Sequence, residues 1–309
     1  MNTFEINHQA LNELSKQNWM EAQRLFFDNA KKNPTHETYN NLGYYLCTEG
    51  LECSNGKTRN AELLGMKYLL KAANISTSVR NLSAIATAID LRLKYCNHKK
   101  IEEVYTYQNA YKALDKAVKM RYSHEIEYNR LRFLYLSDMQ SQTVLDDIRT
   151  LITNFQCEES ITFYLYVLCI HHHFEECIQS IKKYQSYIDR ADYMILNCLC
   201  GEYEQGINCL QDVCRNTSLG ELDSAVIIES LIKLGRFKQA KLYADHVIEY
   251  ESGIKYHGKD HWYIRVFDDL VRSTDYRRKL ISQYRYNPVY LTPCCYFGCE
   301  KHGNPDSNN

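Results

Sequence analysis

Along the chain, an aromatic residue recurs three positions before a small one. The instances are Trp19-Met20-Glu21-Ala22, Phe174-Glu175-Glu176-Cys177, Tyr203-Glu204-Gln205-Gly206 and Phe237-Lys238-Gln239-Ala240. Four positions after each small residue comes one suited to the same helical face: Phe26, Ile181, Leu210 and Ala244. The related i, i+4, i+7 pattern appears at Gly65-Leu69-Ala72, Ala110-Leu114-Ala117 and Val144-Ile148-Leu151. Such spacing predicts helices with one buried stripe. A small residue on that stripe lets an antiparallel neighbour cross closely, where a large one would push the axes apart. The anchors fall at 22, 65, 110, 144, 177, 206 and 240. A period near 34 residues is the mark of helix–turn–helix repeats. The pattern predicts about seven helix pairs from residue 3 to about 252, then a final pair from about 260 to 285. In that pair, Trp262, Val266, Phe267 and Leu270 share one side, and Arg272, Arg277, Arg278, Lys279 and Arg285 supply a polar outer face. The expected organisation is a helical array over 1–285 and an irregular tail over 286–309.

Glycine and proline sharpen this picture. The 309 residues hold 12 Gly and 4 Pro, and residues 66–200 contain neither. A β-rich fold usually takes these residues for turns every roughly 8–12 positions, so the expected class is all-α. Gly50, Gly201 and Gly235 stand where the first helix of a pair should end, as left-handed C-terminal caps. Gly201 and Gly235 each precede their small anchor by the same interval. Between Gly50 and Gly65 an extra loop, Leu51 to Asn60, is inserted.

These residues resemble the tetratricopeptide repeat. Tyr39-Asn40-Asn41-Leu42-Gly43-Tyr44-Tyr45-Leu46, with Gly50, matches the family's first helix. Ala22, Phe26 and Pro34 match its second helix and closing proline, and Leu231, Gly235, Ala240 and Ala244 match again near the end. The resemblance spans residue 3 to about 250 and is degenerate in the middle units. It implies a right-handed α-solenoid of stacked antiparallel helix pairs that binds a protein or peptide in a concave groove. The first helix of each pair lines that groove in the family. The register therefore assigns Asn40, Asn41, Tyr44, Asn129, Phe133, Tyr166 and Glu229 to it, with Cys169, Ile195, Cys198 and Ala225 alongside. Asn41 matches the asparagine with which some members clamp a peptide carboxylate. Asn7 and Leu11 stand where the rest of the clamp would be, so carboxylate capture is not expected.

Charge and candidate chemistry add limits. The net charge is −1, which leaves no electrostatic footprint for nucleic acid. The first residues lack a basic stretch followed by an apolar one, so a cytoplasmic location is expected. The run Ile161 to Ile170 is too short to span a bilayer, and no membrane partner is expected. Ten of the 13 cysteines are scattered through the helices and read as reduced core residues. Gly50 to Thr58 has one residue too many for a phosphate-binding loop and lacks the preceding strand. His171-His172-His173 falls at an expected turn between helices. No nucleophile–base signature is present, so an enzyme is not expected. The tail offers Cys294, Cys295, Cys299 and His302, the ligand inventory of a zinc site in a compressed spacing. Zinc is thus the one cofactor to consider, in an otherwise cofactor-free chain. The primary expectation is a protein- or peptide-binding scaffold. The alternatives are a peptide-responsive regulator and an accessory factor with a metal- or redox-active tail.

Overall fold

A computed structural model describes residues 2–49, 58–95, 103–139, 141–216, 219–252 and 276–299. Sixteen α-helices and one 3-10 turn lie among the described residues, which contain no strand. The fold is all-α and built of packed helix pairs, as the sequence predicts.

Two compact units divide the chain. The first comprises residues 1–139 together with 289–309. It contains α1 (Thr3–Ser15), α2 (Trp19–Lys32), α3 (His36–Thr48), α4 (Thr58–Ile75), α5 (Val79–Tyr95), α6 (Tyr107–Met120) and α7 (His124–Ser137). The second, 140–288, contains α8 (Gln142–Asn154), α9 (Glu158–Ile170), α10 (Phe174–Lys183), α11 (Arg190–Cys200), α12 (Tyr203–Ile207), α13 (Leu210–Asn216), α14 (Glu221–Lys233), α15 (Phe237–Ser252) and α16 (Tyr276–Gln283). Gly50, the inserted loop up to Lys57 and the amphipathic stretch His261 to Leu270 lie outside the described residues.

Local chemistry sets the helix starts. Asn2 accepts from the Glu5 amide while Glu5 accepts from the Asn2 amide, a reciprocal cap. Thr35, Thr106, Ser123 and Asp189 cap α3, α6, α7 and α11 in the same sense, each accepting from an amide three residues on. Every anchor of the repeat pattern is buried, from Ala22 through Gly65, Ala110, Val144, Cys177 and Gly206 to Ala240. At the α3–α4 crossing two glycines meet. A Cβ on Gly43 would lie 2.8 Å from the Gly65 carbonyl, and one on Gly65 would lie 2.6 Å from Cys47 Sγ. One expected helix is broken: α12 ends at Ile207, and the chain turns before α13 begins at Leu210, which is only half-buried.

The turns inside four pairs share one geometry. Gln17, His172, Gly201 and Gly235 all have positive φ, between 61° and 91°. In each, the following amide reaches back five residues: Asn18 to Glu13, His173 to Leu168, Glu202 to Asn197 and Arg236 to Leu231, at 2.8–2.9 Å. The positive-φ residue itself donates three residues back. This double closure satisfies carbonyls that the helix end would otherwise leave unpaired. The next helix starts two residues beyond, at Trp19, Phe174, Tyr203 and Phe237, and its small anchor comes five residues beyond. The aromatic-x-x-small motif is thus the readout of one recurring turn. The His171-His172-His173 run is one of these turns, as expected, with His172 in the position glycine occupies elsewhere.

Left-handed backbone costs a residue with a Cβ about 1–2 kcal/mol. A Cβ on Gly235 would meet nothing within 4 Å, so only the backbone conformation resists it. Gly235→Ala is expected to destabilise the second unit by about 1 kcal/mol, and His172→Gly to stabilise it by a similar or smaller amount. Urea denaturation of the full chain checks both, and equal midpoints for all three proteins would contradict the strain assignment.

Candidate functional site

The first helices α3, α5 and α7 present a line of buried polar side chains to one segment of the same chain, Val289 to Cys299. Asn41 Nδ2 donates to the Phe297 carbonyl at 2.9 Å, and Asn41 Oδ1 accepts from the Phe297 amide at 2.7 Å. Asn129 treats Leu291 the same way, donating at 2.7 Å and accepting at 3.1 Å. Asn40 Nδ2 donates to the Cys295 carbonyl at 2.7 Å, and the Tyr44 hydroxyl donates to that of Pro293 at 3.0 Å. The carbonyls taken from these two helices belong to residues 291, 293, 295 and 297. A period of two is that of an extended chain. Arg80 Nη1 adds a bond to the Tyr296 carbonyl at 3.1 Å. No helix interrupts residues 284–296.

An asparagine amide offers one donor group and one acceptor, the complement of a peptide unit. Asn41 and Asn129 therefore bind as a neighbouring β-strand would, each exchanging two bonds with a single residue. This matters because the segment is largely covered and has no ladder partner. A buried peptide group without a hydrogen bond costs about 1–3 kcal/mol. The asparagines are themselves buried, Asn40 and Asn41 completely.

Aromatic slots flank this backbone line. Tyr296 stacks on Phe26 with ring centroids 5.7 Å apart and meets Tyr44 edge-on at 4.8 Å. Phe297 meets His36 edge-on at 5.3 Å and lies 4.3 Å from the Arg80 guanidinium carbon. Tyr290 packs on Phe133 at 5.6 Å, under Arg132, and its hydroxyl lies 2.9 Å from Thr87 Oγ1. Arg132 is held by a buried ion pair with Asp90 at 2.6 Å. Beside the segment is a cavity of about 560 Å³, lined among others by His8, Leu11, Trp19, Tyr44, Pro293 and Tyr296.

In the second unit, Tyr166 on α9 receives Tyr284 and Tyr286. The Tyr166 and Tyr286 rings stack 3.9 Å apart, 11° from parallel. The Tyr166 hydroxyl donates to Asp192 at 2.7 Å, and the Tyr284 hydroxyl to Asp223 at 2.6 Å. Burial pushes the Asp192 carboxyl up to about 7, against the opposing Tyr166 hydrogen bond. Glu229 is buried on α14 and accepts from Tyr203 at 3.3 Å.

Of the residues the sequence assigns to the groove, Asn40, Asn41, Tyr44, Asn129 and Phe133 meet segment 289–299. Tyr166 meets Tyr284 and Tyr286. Glu229 is paired with Tyr203. Helix α5 supplies residues that the sequence reading missed. Arg80, Ser83, Thr87 and Asp90 are polar, buried and spaced as one helical stripe, in a helix otherwise rich in buried apolar residues. That stripe is the signal that could have found them.

The sulfur chemistry divides into two places. In the tail, Cys294 and Cys299 both border the cavity, whereas Cys295 is buried and its Sγ lies 3.7 Å from the Pro293 carbonyl. Burial pushes the Cys294 thiol up to about 11, and that of Cys295 higher still. His302 lies outside the described residues. In the second unit, Cys169 Sγ is 3.5 Å from Cys177 Sγ and 3.4 Å from Cys200 Sγ, all three buried. Hydrogen bonding to its two neighbours, then burial, pushes the Cys169 thiol well up. Cys177 is the small anchor of its repeat, and the trio packs as core.

Among the described residues no helix is long and apolar enough to cross a membrane. No known protein family matches the chain in sequence, and no curated protein does.

Two measurements check this site. Asn41→Ala and Asn129→Ala each remove a reciprocal pair and are expected to cost about 1–3 kcal/mol. In hydrogen exchange, the Phe297 amide should be exposed at least about tenfold more in the first variant and the Leu291 amide in the second. Unchanged exchange at both would refute the pairing. The raised Asp192 carboxyl gives a pH dependence. The folded state holds that proton from the usual carboxylate range up to about pH 7, while the unfolded chain releases it near 3.8. Stability contributed by this group is therefore full below about pH 4 and is lost as pH rises towards 7. Asp192→Asn is expected to flatten that slope in denaturation series between pH 4 and 7.

Proposed function

We propose that the chain is a non-catalytic, tetratricopeptide-like interaction module that binds polypeptide in extended form along the first-helix face of its first unit. The observation that carries this reading is the pair of reciprocal bonds from Asn41 and Asn129 to Phe297 and Leu291. A helical face whose buried amides match a peptide backbone is equipped to hold a strand-like ligand whatever its side chains, with aromatic slots left to select among sequences. The all-α paired-helix architecture suits such a role, because stacked repeats make a stable scaffold that leaves one face for recognition. A random peptide display selection against the full chain tests it. Enriched peptides should bind the unaltered protein and lose about tenfold or more in affinity for the Asn41→Ala/Asn129→Ala variant. Selections that yield no peptide dependent on these two residues would remove the reading.

A further inference from the structure

The segment that fills the face belongs to the chain itself, and its chemistry describes the ligand the face accepts. The backbone is gripped at 291, 293, 295 and 297 without regard to side chain. Selection falls on three rings: Tyr290 against Phe133 and Arg132, Tyr296 between Phe26 and Tyr44, and Phe297 against His36 and Arg80. Resting on the reading above, we propose that residues 289–299 are an intramolecular stand-in for an external ligand. That ligand is an extended peptide with an aromatic residue, five intervening residues, and two consecutive aromatics, and it displaces the stand-in.

The segment shares in the core through Cys295 and Tyr296, which are buried, but its backbone is held as a ligand's would be. Its backbone takes hydrogen bonds from Asn40, Asn41, Tyr44, Arg80 and Asn129, while the Tyr290 hydroxyl pairs with Thr87 through its side chain. Phe297 and Tyr290 are only half-buried. The helices it covers are closed on their own account: α1 on α2, α3 on α4, and α5 on α6, with Ala22, Leu69 and Leu114 buried between them. A ligand carried on the same chain competes intramolecularly, at an effective concentration set by the connection that carries it. A trans peptide must therefore overcome that competition, and weakening the tether's grip should raise its apparent affinity.

The test uses the full chain and a fluorescein-labelled synthetic peptide of residues 288–298 carrying Cys294→Ser and Cys295→Ala, followed by anisotropy. The unaltered protein should bind it weakly. A full chain with Phe297→Ala, which keeps the Asn41 backbone pair but loses the ring, should bind at least about tenfold more tightly. Tyr290→Phe, which removes one hydroxyl, should gain about fivefold. Adding Asn41→Ala and Asn129→Ala to the Phe297→Ala chain should abolish the gain, and a peptide with Tyr296→Ala should bind poorly throughout. Circular dichroism accompanies each protein. If both tail variants keep full helicity and bind no better than the unaltered chain, the proposal is overturned. Loss of helicity in both also overturns it, because the segment is then a structural strap. If displayed peptides still require Asn41 and Asn129 while the tail variants change nothing, only the stand-in idea falls. If no peptide of either kind binds, the interaction reading falls with it.

Discussion

A covered stretch of extended backbone must find partners for its amides and carbonyls, and the first unit is organised around that requirement. Helices cannot offer a ladder of their own, since their peptide groups are already spent internally. Side chains have to do it, and asparagine alone among short ones presents a donor and an acceptor in the spacing of a peptide group. Asn40, Asn41 and Asn129 sit buried on α3 and α7 for this purpose, with Tyr44, Arg80 and Thr87 filling the remaining positions. Buried asparagine is otherwise an expensive choice on a helix; here Asn41 and Asn129 are answered at both amide atoms by the chain that lies across them, and Asn40 at its Nδ2.

The scaffold that carries these residues depends on a second constraint, close approach of helices joined by very short turns. The four left-handed turns at Gln17, His172, Gly201 and Gly235 reverse the chain in the same number of residues and close it with the same two backbone bonds. They deliver the small anchor to the crossing point each time. At the α3–α4 crossing the constraint is tightest, with Gly43 and Gly65 facing each other. Because Gly43 lies two residues after Asn41, the contact that fixes how α3 seats on α4 also fixes where its asparagines point.

Much of this was legible in the sequence. The aromatic-x-x-small motif marked the starts of α2, α10, α12 and α15 to the residue, because one turn geometry underlies all four. The register taken from the repeat resemblance selected Asn40, Asn41, Tyr44 and Asn129. Two things were hidden. Gln17 and His172 adopt a conformation that sequence reading reserves for glycine, so the turns in their units lacked their usual sign. The occupant of the face was hidden for a different reason. Asn41 and Phe297 are 256 residues apart in sequence, and no local periodicity links an amide on α3 to a proline- and cysteine-rich tail. The polar stripe of α5 was visible as spacing, but polar residues at 80, 83, 87 and 90 read as a solvated face until something is known to cover them.

The three sulfurs of Cys169, Cys177 and Cys200 have a practical corollary. Cys169 Sγ touches the other two, and all three are shut away from solvent between α9, α10 and α11. A thiol reacts with an alkylating reagent only as an exposed thiolate. Their modification therefore requires the helices to separate, and its rate follows the opening equilibrium of the second unit. Native sulfur thus gives this part of the protein a built-in clock for local unfolding, readable by mass spectrometry without any added label site.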